Sequence, residues 1–196
     1  MKNNTTKFHP ILFSTPMVQA ILEERKTQTR RIIKDKLLQN STPDDDLEFL
    51  LLTIIYKYKV GDVLWVRETF RPIEQEVGSP RFEYKATEAI NLIDKWKPSL
   101  FMPKQACRIF LKIKSIRVER LQDIRDKDAQ AEGVDFVEGI NGNLYFNYLT
   151  KDYGCNELFS FMTLWESING DGSWNKNPFV WVYEFERIEK PLDFIV

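Results

Sequence analysis

Residues 25–31 read "RKTQTRR" and combine four cations with two threonines in a chain whose formal net charge is only −1. Positive charge and hydroxyl groups at this density are suited to hold an anionic or polar ligand. The alternative is a solvated helix end without a ligand. The cations continue along the chain, and a second basic stripe follows later; together they are Arg25, Lys26, Arg30, Arg31, Lys34, Lys36, Arg108, Lys112 and Lys114. Such stripes can follow a phosphate backbone, or they can be ordinary solvated surface.

The block "VLWVRETF" holds a second group of candidate binding residues. Strand alternation places Trp65 and Arg67 on one face, where the arginine can bind a phosphate or carboxylate with two hydrogen bonds. Glu68 follows it directly. An internal ion pair between Arg67 and a glutamate is the equally weighted alternative. Trp65 can stack on a base, although a tryptophan in this position is more often part of the core.

Composition excludes several classes of protein. Two cysteines, Cys107 and Cys155, and one histidine, His9, cannot build a Cys/His zinc site, so we expect neither metal nor cofactor. The near-zero net charge argues against a wholly basic nucleic-acid binder. Free cysteines, together with an N-terminus that lacks an apolar core, indicate a cytoplasmic protein. The apolar run "FLLLTIIY" is too short to cross a bilayer, so no membrane partner is expected.

Hydrophobic periodicity and turn residues predict the elements that must position these side chains. The strand patterns are "FHPILFS" at a sheet edge, "TQTRRII", "VLWVRETF", "RFEYKA", "CRIFLKIKSIRVERL" and a central "PFVWVYEFERI". The first helix pattern is capped by Ser14 or Thr15, has Pro16 in its first turn and runs to about Arg25 or Lys26. The other two are the short "DKDAQAEG" closed by Gly133 and "NELFSFMTLWESING" with Asn156 as N-cap. Residues 135–155 form a hairpin or a mobile loop. We therefore predict an α+β fold with a small, strongly curved sheet or barrel.

Five ordered blocks carry a resemblance to a known family: "PILFSTPMVQAILEERKTQTRR", "GDVLWVRETF", "PSLFMPKQACRIFLKI", "VERLQDIRDKDAQAEGV" and "LWESINGDGSWNKNPFVWVYEF". Together they resemble the ASCH family, and more narrowly its phage- and prophage-encoded branch. The resemblance implies a single domain, 1–196, with a PUA-like small β-barrel, flanking short helices and loop insertions near 35–58 and 135–155. Some smaller relatives remove an acyl group from the N4 nitrogen of cytidine, one is described as a ribonuclease, and PUA domains often bind RNA.

The deacylating relatives use a lysine and a threonine from a "KTxT" block and a glutamate from a later short helix. In this sequence the resemblance implies Lys26 as the activating base, Thr29 as the nucleophile and Glu132 as the proton shuttle. Two positions depart from the family pattern. Glu24 stands where many relatives have glycine, which costs strain if the backbone there is left-handed. Arg125 stands where a serine usually begins the helix, so Asp126 or Asp123 would have to cap it.

The resemblance therefore implies a nucleobase-recognising protein whose partner is a nucleoside or RNA. The reaction it would catalyse is metal-free hydrolysis of N4-acylated cytidine. The alternatives are a non-catalytic PUA-like RNA-binding module, a ribonuclease-type protein, and a phage accessory protein that acts through protein–protein interaction. A lysine can act as the base only if burial and neighbouring cations lower its pKa by about three units or more. The predicted substrate-binding residues are Arg25, Thr27, Arg31, Trp65, Arg67 and Glu68.

Overall fold

The computed structural model describes residues 6–34, 57–73, 78, 80–88 and 95–195. In chain order the strands and α-helices are β1 Phe8–Leu12, α1 Thr15–Leu22, β2 Gln28–Ile32, β3 Val63–Arg67, β4 Phe70–Ile73, β5 Arg81–Tyr84, β6 Phe110–Arg120, α2 Asp126–Ala131, β7 Phe136–Gly139, β8 Gly142–Asn147, β9 Asp152–Cys155, α3 Glu157–Asn169 and β10 Phe179–Ile188. Short 3-10 turns occupy Ser99–Phe101, Lys104–Ala106 and Leu121–Asp123.

The chain divides into two units. Unit 1 comprises Met1–Glu24, Val60–Lys114 and Phe185–Val196, and unit 2 comprises Arg25–Lys59 and Ser115–Glu184. Strands β6 and β10 contribute residues to both units. The organisation into one ASCH domain stays a prediction, and most of the predicted insertion at 35–58 lies outside the described residues.

In unit 1 the order of hydrogen-bonded strands is β1-β3-β6-β10. β1 runs parallel to β3, and β3 runs antiparallel to β6. β1 has a single neighbour in this order, as expected of an edge strand that contains Pro10. The core of unit 1 consists of buried side chains from β3, β4, β6, the segment before β6 and the segment after β10, namely Val63, Phe70, Met102, Ala106, Cys107, Phe110 and Phe194.

In unit 2 the order is β6-β10-β2, so β10 has a neighbour on each side, as its continuous apolar pattern predicts. α2 and α3 pack with these strands around Leu121, Ala129, Phe161, Trp165 and Val182. The predicted N-cap of α3 is confirmed, because the Asn156 side chain accepts a hydrogen bond from the Phe159 backbone at 2.8 Å.

Residues 135–155 form an antiparallel sheet of order β7-β8-β9 in unit 2. Of the two predicted alternatives, a hairpin or a mobile loop, the structure shows the hairpin arrangement. One face of this sheet is anchored by Tyr145, which is buried in the core beside Phe136 and Cys155.

The predicted α+β class is confirmed, since three short α-helices accompany mostly strand structure in the part of the chain that is described. The predicted small β-barrel is not seen in that part, because its strands are divided among three separate sheets and none of these closes. No helix among the described residues combines the length and the apolar character needed to cross a membrane.

Helix α1 ends at Leu22, three or four residues earlier than the sequence predicts. Glu23 caps it, and Glu24 takes a left-handed backbone conformation with φ of 60°. Glycine adopts this conformation without the steric cost that a Cβ atom imposes. The expectation of strain at this position is therefore supported by the backbone itself.

Glu24→Gly is expected to raise the free energy of unfolding by about 1 kcal/mol, because it removes the left-handed strain. Urea denaturation of parent and variant measures the difference. Glu23→Gly is the matched control: Glu23 has φ of −87°, so glycine relieves nothing there and is expected to be neutral or destabilising. Equal effects of the two substitutions would contradict the strain argument.

Candidate functional site

The basic block at 25–31 directs alternate side chains toward a set of carboxylates in unit 2. Gln28 and Arg30 lie on one face of β2, and Lys26 lies just before the strand. Their partners are Glu119 on β6 and Asp128 and Glu132 on or beside α2. Two cations of the block that the sequence suggested as a ligand site, Lys26 and Arg30, therefore have side chains that are fully buried and paired inside the protein.

The Lys26 ammonium group has three hydrogen-bond acceptors. Its Nζ donates to the Gln28 carbonyl at 2.9 Å, to the Glu132 carbonyl at 2.8 Å and to Glu132 Oε2 at 2.9 Å. An ammonium carries three N–H donors, so this arrangement satisfies the charged form completely.

Glu132 binds a second cation through its other oxygen. Arg30 Nη1 donates to Glu132 Oε1 at 2.9 Å, while Lys26 occupies Oε2. Glu132 is 4% exposed, and such a buried charge requires compensation of this kind. Lys26, Glu132 and Arg30 thus form one buried cation–anion–cation group, which we call the buried triad.

Further charged residues connect the buried triad to the surface of unit 2. Arg30 donates to Glu119 Oε1 from Nε at 3.0 Å and from Nη2 at 2.6 Å. Arg117, which is half-buried, binds Glu119 at 3.0 Å and Asp128 at 2.8 Å, and it also pairs with Glu184. Cations and anions alternate along this network, so the charges of Lys26 and Arg30 are neutralised locally.

Helix α2 is positioned by the same contacts. Six residues are too few for a helix that is stable by itself. Gln28 Nε2 donates to both the carbonyl and the carboxylate of Asp128, and the Thr27 backbone donates to the Ala131 carbonyl at 2.8 Å. The helix ends at Ala131 with Glu132 as its C-cap, and Gly133 follows with φ of 80°, which confirms the predicted glycine stop. Arg125 makes no side-chain capping bond at the other end.

Burial governs the electrostatics of Lys26. Removal from water lowers the pKa of its amine below the ordinary 10.5, and the charge and hydrogen bond of Glu132 offset part of that effect. Arg31 and Arg30 lower the pKa of Lys26 further by like-charge repulsion. For Asp128, burial raises the pKa, but the Gln28 hydrogen bond and the charges of Arg30 and Arg117 outweigh it, so the net pKa is lowered.

Thr29 lies on the opposite face of β2 from Arg30, as strand alternation requires. It is buried and is paired across the strands with Tyr183, while Arg31 is paired with Trp181. Burial lowers the pKa of the Arg31 guanidinium, which also interacts electrostatically with Glu132. β2 has a single neighbour, β10, among the described strands. The structure thus joins Lys26 to Glu132 directly and places Thr29 beside the aromatic rings of β10.

Arg25 and Thr27 flank the buried triad. Arg25 Nη1 donates to the carbonyls of Gly133 and Val134 at 3.0 and 3.1 Å, and its guanidinium lies 3.8 Å from Asp135. Thr27 contributes the backbone bond to α2 described above. These contacts fasten the chain segment before β2 to the segment that follows α2.

The other predicted binding residues belong to unit 1. Trp65 packs against the core beside Phe194, with ring centroids 6.2 Å apart. Of the two predicted roles, base stacking or core packing, the structure shows core packing. The Arg67 guanidinium lies 5.7 Å from the Trp65 ring centroid and donates to the Leu100 carbonyl. Among the described residues it makes no ion pair with a glutamate. Glu68 instead binds Arg108, through two hydrogen bonds of 2.8 and 2.9 Å.

Sequence reasoning missed Glu119, Arg117 and Asp128 as members of the charged network. A signal for them exists. Arg117 and Glu119 alternate in a strand, so they share a face, and Asp128 and Glu132 are four residues apart, so they lie on the same side of α2. What the pattern lacks is any indication that these faces turn toward β2.

No group of three or more histidine, cysteine, aspartate or glutamate side chains within the described ranges is arranged to hold a metal ion. Fold and site together define an α+β protein with a buried lysine–glutamate–arginine triad. Comparisons with protein-family models, with curated proteins and with solved structures found no match.

Proposed function

We propose that this chain is a PUA-like ASCH protein that recognises a nucleobase and hydrolyses N4-acylated cytidine without a metal. The observation that supports it is the contact between the Lys26 amine and the Glu132 carboxylate, 2.9 Å apart and shielded from water. A buried amine with a lowered pKa is the property that a lysine base requires. The family assignment rests on the sequence blocks quoted above.

The proposed reaction begins with proton transfer inside the pair, from the Lys26 ammonium to the Glu132 carboxylate. The next step requires the Thr29 hydroxyl, which lies on the other face of β2, to come within hydrogen-bond reach of the neutral amine. The amine then takes the hydroxyl proton as the Thr29 oxygen attacks the acyl carbon. The resulting tetrahedral species collapses with rupture of the C–N bond, and Glu132 returns its proton to the leaving N4 nitrogen. Water next hydrolyses the acyl-threonine ester, which releases the acid and regenerates the hydroxyl group.

Thr29→Ala is the direct test. We expect it to lower kcat for N4-acetylcytidine by about 1,000-fold or more, since the nucleophile is lost while the buried triad remains. Release of cytidine, followed by chromatography, measures the rate. Thr150→Ala is the matched control, because Thr150 is exposed between β8 and β9, where its hydroxyl binds Asp152, and this variant should keep most of the activity. Parental rates in Thr29→Ala would exclude the proposed nucleophile.

One observation favours a second candidate, binding without chemistry. The three acceptors around Lys26 Nζ satisfy the ammonium form, and Thr29 lies on the other face of β2. In that case the buried triad supports a PUA-like module that binds RNA or a modified base. Salt-dependent binding of a labelled oligonucleotide, with no product from any N4-acylcytidine, would favour this candidate over the hydrolase.

A further inference from the structure

Two cations share one buried carboxylate in the triad, and they differ in chemistry. Lys26 contacts Glu132 Oε2 and Arg30 contacts Glu132 Oε1, each at 2.9 Å. A lysine amine can lose its proton when burial and neighbouring charge demand it. An arginine guanidinium cannot do so in a protein. Of the two cations on this carboxylate, Lys26 is therefore the one able to become neutral.

Arg30 is held in place from three directions. Glu119 accepts hydrogen bonds from its Nε and Nη2, Asp128 lies 3.9 Å from Nη2, and its guanidinium is 5.7 Å from the centroid of the Phe161 ring. Its side chain is fully buried. A planar guanidinium with this many fixed partners presents Nη1 to Glu132 in one orientation.

We propose that Arg30 is a positioning residue for the Lys26–Glu132 pair. It fixes one carboxylate oxygen so that the other faces the lysine amine, and its permanent charge makes Lys26 the member of the triad that releases a proton. The catalytic meaning of this role rests on the proposed function, whereas the effect on Lys26 ionisation does not.

The charges around the pair support this role. Arg30 and Arg31 on β2 both repel the Lys26 ammonium. Glu119 and Arg117 on β6, Asp128 on α2 and Glu184 on β10 complete the charged groups of the network. Loss of Arg30 removes one repelling cation and leaves the whole Glu132 carboxylate to Lys26. Both changes act in the same direction and raise the pKa of Lys26.

The test is a pH titration of Lys26 in the full chain labelled with 13C and 15N in its lysine side chains. The Lys26 signal is the one missing from Lys26→Arg. In Arg30→Met we expect the titration midpoint of Lys26 to rise by about one pH unit or more. Arg120→Met is the matched control, because Arg120 also stacks on a phenylalanine, Phe179, at 3.7 Å. It should leave the midpoint unchanged.

Arg30→Gln provides a second uncharged variant if Arg30→Met does not fold, and Arg30→Lys restores the charge. We expect the midpoint to rise in whichever uncharged variant folds and to return toward the parental value in Arg30→Lys. A parental midpoint in a folded, uncharged variant overturns the positioning role.

Rates with N4-acetylcytidine separate the two proposals. If the parent shows no turnover while the Lys26 midpoint shifts as expected, the proposed function fails and the positioning role stands. If turnover requires Thr29 but the midpoint does not move, the positioning role fails and the proposed function stands. Where both hold, the pH–rate profile of the Arg30 variant should shift with the midpoint, and kcat should fall more than KM changes.

Discussion

Lys26→Met is expected to lower the free energy of unfolding by about 3–5 kcal/mol, because it removes one partner of a buried ion pair. Two buried carbonyls, those of Gln28 and Glu132, lose their hydrogen-bond donor at the same time. Methionine fills nearly the same volume, so the loss reports the charge and the hydrogen bonds rather than a cavity. Urea denaturation with a common m-value measures it.

Two further variants sharpen this prediction. Lys114→Met is the matched control, since Lys114 and Glu186 form an exposed pair 3.5 Å apart, and its loss should cost less than about 1 kcal/mol. The double variant Lys26→Met with Glu132→Leu removes both charges and should recover part of the lost stability. A Lys26→Met protein as stable as the parent would show that the triad does not hold α2 against β2.

Arg108→Met is expected to lower the free energy of unfolding by a similar amount, about 3–5 kcal/mol, because it leaves the buried Glu68 carboxylate without its partner. Glu68 is 1% exposed, and both its oxygens are bound by Arg108. The guanidinium also lies 3.9 Å from the Tyr84 ring centroid, a contact that the variant loses as well. Chemical denaturation again provides the measurement.

Arg67→Met is the control for this second prediction and also tests the ligand role that the sequence suggested. Arg67 Nε is buried without a hydrogen-bond partner in the described structure. Arg67→Met should therefore lower the free energy of unfolding by less than about 1 kcal/mol. Adding Glu68→Leu to Arg108→Met should restore most of the stability. If Arg67→Met proves as damaging as Arg108→Met, the assignment of the structural role to Arg108 is wrong.

The buried triad changes the interpretation of "RKTQTRR". Seen as a sequence, four cations in seven residues suggest a surface that attracts anions. In the structure, Lys26 and Arg30 face carboxylates of the same unit, and Arg25 binds carbonyl groups and Asp135. The block therefore joins β2 to α2 and β6 through internal ion pairs. Any ligand at this site must replace or share these contacts.

Several elements could be predicted from the sequence because their signals are local. The capping asparagine before α3, the glycine after α2 and the unbroken apolar run of β10 each act within a few residues of the chain. The end of α1 could not be predicted in the same way. Residues 23–26 are glutamate, arginine and lysine, which favour helices, and the left-handed backbone at Glu24 is unusual for that residue type.

The charged network separates what local sequence determines from what only the tertiary structure decides. The sequence by itself determined which side chains carry charge, and through strand and helix periodicity it determined that Lys26, Gln28 and Arg30 belong together, as do Arg117 and Glu119. The tertiary structure alone decided that β2 meets β6 and α2, which follow it about 100 residues later in the chain. Long-range pairing depends on the burial of whole faces, and no local pattern encodes which face a charged side chain will meet.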